Sequence, residues 1–153
     1  MFIKGNFLFT PSRHELTIRE NQYAHIENGV VTGFMTDLPE TTGPETVVDY
    51  NQDIIIPAFV DLHIHAPQYI NRGFDEELLP WLEHYTFPAE GKFAAPVFAR
   101  RVYTAFLKRL QAEGTLCFSA FATIHKESTW QLMELAETMG FKAYIGKVNM
   151  DRN

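Results

Sequence analysis

His63-Ile64-His65 is the pair of side chains in this 153-residue chain with the clearest capacity for chemistry. A neutral imidazole nitrogen is a common ligand of divalent metals, and a bound metal acidifies its water enough to make a nucleophile near neutral pH. The pair closes the apolar run Ile54-Ile55-Ile56-Pro57-Ala58-Phe59-Val60-Asp61-Leu62. A run so rich in β-branched residues reads as a buried strand. Side chains alternate along a strand, so His63 and His65 share one side, where two rings can close on one cation. Asp61 shares that side and is placed to orient one ring from behind. Val60, Leu62 and Ile64 take the other side and are expected to pack against helices. Histidines at this spacing also occur on solvated strands and in loops. What favours a metal is the position at the end of a buried strand, where ligand sites of α/β folds gather.

The elements around the pair follow from periodicity. The first fifty or so residues are β-rich: Phe2 to Phe9 reads as a strand, as do Tyr23 to Ile26, Val30 to Phe34 and Val47 to Tyr50. Asn28-Gly29 is a strong hairpin signal because both residues tolerate positive φ. Thr41 to Pro44 is a loop by composition. Ala66 to Phe93 is interrupted by Pro67, Gly73, Pro80, Pro88 and Gly91, and reads as a loop broken by a short helix near Glu76 to Tyr85. Ala95 to Glu113 is a helix with Phe98, Val102, Phe106 and Leu110 in an i, i+4 stripe and Gly114 at its C-terminal cap. Thr115 to Ala122 is a strand. Ser128 to Met139 is a second helix, with Ser128 and Gln131 in a capping-box pattern and Gly140 beyond it. Phe141 to Val148 is a third strand.

This alternation predicts parallel strands joined by right-handed crossovers. Three such strands are too few for a closed barrel, which takes about 250 residues. The expected fold is α/β: a β-rich module over 1–55, then the first β/α units of a (β/α)8 barrel over 56–153, truncated after the third strand. A small open α/β sheet complete in itself is the alternative.

Bulk properties narrow the function classes. A hydrophobic content of 46% suffices for a core and argues against disorder. The formal net charge of -6 argues against a general nucleic-acid binder, which needs a basic stripe. The single cysteine, Cys117, forms no internal disulfide and fits a reducing compartment. No apolar stretch has transmembrane length and no signal peptide is evident, so the expectation is a cytoplasmic protein with no membrane partner.

Pro57-Ala58-Phe59-Val60-Asp61-Leu62-His63-Ile64-His65 resembles the amidohydrolase signature, in which His-x-His ends the first strand of a metal-dependent barrel. Ala66-Pro67-Gln68-Tyr69, Leu79-Pro80-Trp81-Leu82, Tyr85-Thr86-Phe87-Pro88-Ala89-Glu90, Ala122-Thr123-Ile124-His125 and Gly146-Lys147-Val148-Asn149-Met150-Asp151 resemble the guanine-deaminating branch of that family. The similarity is ordered and runs from about Ile56 onward. Ala58, Leu62 and Thr115-Leu116-Cys117 depart from the usual pattern, at positions that bear on packing more than on chemistry.

The resemblance implies that His63 and His65 hold one divalent metal, zinc or alternatively iron. It implies that two further histidines and an aspartate from later strands complete the site, with a later glutamate moving protons and a later arginine holding the purine. Gln68 would contact the base, since a carboxamide offers donors and an acceptor to the mixed edge of guanine. Trp81 would form a wall against the purine, although a packing role is equally open to it. The substrate would be guanine and the complete enzyme a homodimer. No catalytic residue beyond the metal ligands is expected within this chain. His125 reads as structural, His84 as a loop residue, His14 and His25 as surface residues and Cys117 as a small core residue. Glu76, Glu77 and Glu90 read as solvated or capping charges.

Overall fold

Four strands make up most of the first 57 residues: β1 (Phe2–Ser12), β2 (Glu15–Glu27), β3 (Val30–Met35) and β4 (Val47–Ile55). The computed structural model describes residues 1–150 apart from Thr41 and Asp75. Thr41, at the start of the expected loop, and Asp151 to Asn153 therefore lie outside the described residues. The strands form one sheet in the order β3-β2-β1-β4, antiparallel except for the parallel pair β1 and β4. Asn28 and Gly29 take φ of 50° and 78°, as the tight hairpin between β2 and β3 requires. The first half of β2 was not anticipated, because Glu15 to Gln22 is mostly polar and solvent-facing.

The apolar run leading to the histidines is two strands and not one. Proline has no amide proton for a ladder and restricts the residue before it, so pairing stops around Pro57. The chain divides there into two compact units, Met1–Pro57 and Ala58–Asn153. The first piece of the run ends β4. The second is β5 (Phe59–His65), which opens the second unit.

After β5, the described residues between 66 and 95 contain the short helical segment expected near Glu76 to Tyr85 and further short turns on either side of it, where the expectation is loop. These are a 3-10 turn at Ala66–Asn71, α1 (Leu78–Trp81), a wider π turn at Leu82–Thr86, α2 (Phe87–Gly91) and a 3-10 turn at Lys92–Ala94. Then follow α3 (Pro96–Ala112), β6 (Thr115–Phe121), α4 (Lys126–Thr138) and β7 (Lys142–Gly146). The three strands form a parallel sheet in the order β5-β6-β7. Gly114 and Gly140 both take φ of +79° where α3 and α4 end, a conformation that costs glycine no side-chain clash.

The core of the second unit lies between this sheet and α3 and α4. Helix α3 buries Ala99, Val102, Tyr103, Phe106 and Leu107, while Phe98 and Leu110 of the expected stripe flank that face. Phe118 of β6 sits between the rings of Phe106 and Phe141. The capping-box reading of Ser128 is corrected. His125 is the N-cap residue of α4, without a side-chain cap, and Ser128 lies one turn in, donating to the Tyr103 hydroxyl at 3.1 Å. Burial pushes the Tyr103 phenol up to about 12. Val60 and Leu62 do not pack against helices: they are 57% and 78% exposed. Helix α3 lies over β6 and α4 over β7, which leaves the outer half of β5 bare, and only Ile64 reaches the core.

Candidate metal centre

The two histidines converge at the C-terminal end of β5. Their ring centroids are 5.2 Å apart and their Nε2 atoms 3.3 Å apart. That spacing has a specific meaning. Two nitrogens each about 2.0–2.1 Å from a tetrahedral zinc stand roughly 3.3 Å from one another. The two nitrogens, which share a hydrogen bond here, are therefore close enough to ligate one cation together. Partial burial lowers the His65 pKa below the ordinary imidazole range, and neighbouring His63 lowers it further. Both effects favour the neutral ring, the form that binds metal. Among the described residues, no group of three or more His, Cys, Asp or Glu side chains gathers into a metal site.

Asp61 does not stand behind either ring. Its Oδ1 accepts the backbone amide of His63 at 3.0 Å. The β5–β6 register slips between Asp61 and Ile64, which breaks the simple alternation that would have put Asp61 alongside the rings.

A cavity of about 460 Å³ opens beside the histidines, lined among others by Gln68, Tyr69, Asn71, Arg72 and Trp81. The structure thus brings His63, His65, Gln68 and Trp81 around one space. The proline-punctuated turns are what achieve this: the first turn after β5 carries Gln68 back over the strand end, and α1 delivers Trp81. Arg72 is held over Tyr69, 3.8 Å from its ring centre, with its Nε donating to the Tyr69 carbonyl at 2.8 Å. Buried Asn71 donates to the Thr86 hydroxyl at 3.4 Å.

Two residues near the cavity carry more than the sequence suggested. Glu90 is not a solvated charge. It is half-buried, burial raises its carboxyl pKa above the ordinary range, and a hydrogen bond with Gln68 opposes that rise. Phe121, at the end of β6, stacks on His65 at 4.9 Å and meets the edge of His63 at 5.4 Å. The Thr-Phe-Pro-Ala-Glu word held a signal for Glu90. An apolar strand end offers none for Phe121.

The other histidines fall away from the cavity lining. His125 accepts the Thr129 amide and hydroxyl through its carbonyl. His84 lies in the π turn with its Nδ1 3.2 Å from Glu76, so neither is an isolated surface group. His14 is exposed, and His25 stacks on Phe2 at 4.6 Å. Cys117 is half-buried. No helix among the described residues is long and apolar enough to cross a membrane.

The profile of the Amidohydrolase family matches residues 54–153. Guanine deaminase from Dictyostelium discoideum is 46% identical over 111 residues, covering 71% of this chain and 25% of that protein. A probable guanine deaminase from Schizosaccharomyces pombe is 35% identical over 164 residues, covering 96% of this chain and 30% of that one. The crystal structure of a guanine deaminase from C. acetobutylicum, with guanine bound in its active site, matches with a TM-score of 0.90 at 41% identity. That match covers 99% of this chain and 37% of the other. The chain spans about a quarter to a third of the length of these curated relatives.

Proposed function

The chain belongs to the amidohydrolase family, and on that premise we propose that it forms the N-terminal part of a guanine deaminase. The reaction is hydrolytic: water adds to the purine carbon that bears the amino group, the C–N bond breaks, and xanthine and ammonia leave. The first 55 residues or so are the small β domain of such an enzyme. The remainder supplies the first strands and helices of its (β/α)8 barrel, whose C-terminal strand ends are where active sites of that architecture sit. The observation that carries the reading is the 3.3 Å approach of the two Nε2 atoms at the head of a cavity shared with Gln68 and Trp81.

His63 and His65 would hold the divalent cation, zinc or alternatively iron, through neutral ring nitrogens. When bound, the metal lowers the pKa of water from about 15.7 to roughly 7 and so supplies a nucleophile at neutral pH. Gln68 presents carboxamide donors and an acceptor to the base edge, and the Trp81 indole offers a flat apolar wall. Further ligands come from outside the described residues. The reading also carries a cytoplasmic, homodimeric enzyme, which cell fractionation and light scattering of the full-length protein would test.

The direct test is metal content and ammonia release in the full-length protein, wild type against His63→Ala. The wild type should contain metal and convert guanine to xanthine, and the variant should lose both. Normal metal content in the variant would remove His63 from the site. A panel of purines and pyrimidines separates this reading from an amidohydrolase acting on another heterocycle, for which Gln68 and Trp81 have no assigned task.

A further inference from the structure

Phe121 has a large apolar side chain that the core does not explain. It is 43% exposed and lies outside the buried cluster that contains its neighbours Phe118, Ala120 and Ala122. It pairs with His65 across the β5–β6 ladder. Its ring stacks on His65 with an interplanar angle of 26° and meets His63 edge-on at 62°. One phenyl ring therefore abuts both imidazoles at once.

Metal-binding histidines are ordinarily oriented by a hydrogen bond from the ring nitrogen that does not touch the metal, given to a carboxylate, a carbonyl or water. Among the described residues no carboxylate or carbonyl accepts from either ring, and Asp61, the nearest carboxylate in sequence, is spent on the His63 backbone amide. The hydrogen bond between the two Nε2 atoms is one that a shared cation would replace, so aromatic contact is what remains to fix the rings in the loaded site. A phenyl ring has no lone pair to ligate a cation and no proton to titrate. It acts by shape and by the quadrupole that favours stacked and edge-on partners, and it leaves the two Nε2 atoms facing each other.

We infer that Phe121 is a positioning residue for the metal ligands: its ring locks the side-chain torsions of His63 and His65 so that their Nε2 atoms stand together, 3.3 Å apart, before a cation arrives. This rests on the reading of the two histidines as ligands. A free imidazole samples several rotamers, and binding must freeze both rings. Contact with Phe121 freezes them during folding, so the cost is removed from the binding step.

The test uses the full-length protein, stripped of metal and titrated with zinc against a chromophoric chelator. Phe121→Ala should raise the zinc dissociation constant about tenfold to a hundredfold, the range typical of lost support behind a metal ligand. Phe121→Tyr, which keeps the ring, should stay near wild type. Phe121→Leu, which keeps apolar bulk but no flat face, should weaken zinc and alter the visible spectrum of the cobalt-substituted protein. His63→Ala is the control for the underlying reading. The thermal midpoint of the metal-free Phe121→Leu protein should match wild type. If both Phe121→Ala and Phe121→Leu bind zinc like wild type while His63→Ala loses it, Phe121 has no positioning role and the ligand assignment stands. If His63→Ala also binds normally, the ligand assignment itself has failed. A lower metal-free midpoint with an unchanged cobalt spectrum would make Phe121 a structural residue and overturn the inference.

Discussion

Gln68 and Glu90 are neighbours with separate predictions. Gln68 faces the cavity that holds the histidines and bonds to a carboxylate that is itself half-buried. In the proposed enzyme, Gln68→Ala should retain metal and lose about 1 kcal/mol of substrate interaction, roughly fivefold in kcat/KM. Steady-state assays with metal analysis check this, and unchanged kinetics would take Gln68 out of the binding site. Glu90 makes a prediction about stability against pH. Its carboxyl is raised in the folded protein, so the folded state holds the proton more tightly than the unfolded chain does. Its contribution is most favourable below the ordinary glutamate pKa of about 4.3 and is lost as pH rises through the higher folded value. At neutral pH the buried charge is therefore a net cost. Glu90→Gln should raise the melting temperature at pH 7, with the gain disappearing as pH falls from the raised folded value to the ordinary glutamate pKa of about 4.3. A gain independent of pH would show that desolvation of the charge is not the cause.

Among the secondary-structure elements, the second unit depends on the way β6 packs between α3 and the segment that leads into β7. Phe118 is 1% exposed between Phe106 and Phe141. Phe118→Ala should cost about 3–5 kcal/mol, measured by urea unfolding, because the lost ring leaves a cavity that rigid neighbours cannot close. The long elements of this unit were legible in the sequence. The α3 stripe is strongly periodic and Gly114 and Gly140 mark the helix ends. What periodicity could not show was a break inside a uniformly apolar run at Pro57, nor the short turns that flank Leu78–Thr86, because turns of three to six residues hold too few positions to display a repeat. The same limit applies to the site. His63 and His65 announced themselves through residue type and spacing. Asp61 was misplaced because a register slip is invisible without the partner strand. Phe121 was missed because its partners lie across a ladder formed by residues more than fifty positions apart.

For the molecule taken whole, the proposal makes the two halves of a metal site depend on different stretches of polypeptide. The described residues bring together two imidazoles and no third donor, whereas a catalytic zinc typically takes about three protein ligands. The 153-residue chain expressed alone should thus bind zinc far more weakly than the full-length enzyme and release no ammonia from guanine, as measured by chelator competition and a coupled ammonia assay. Tight binding by this chain alone would mean that its own residues complete the site. Exposed Val60 and Leu62 on β5 add that the isolated chain should bind a hydrophobic dye more strongly than the full-length protein. If one cation sits between His63 and His65, X-ray absorption at the zinc edge of the loaded full-length protein should show imidazole scattering with nitrogens at about 2.0–2.1 Å. That scattering should fall by one imidazole in a His65→Ala variant reloaded with zinc. An absorption spectrum identical in that variant and in the wild type would contradict a cation shared by the two rings.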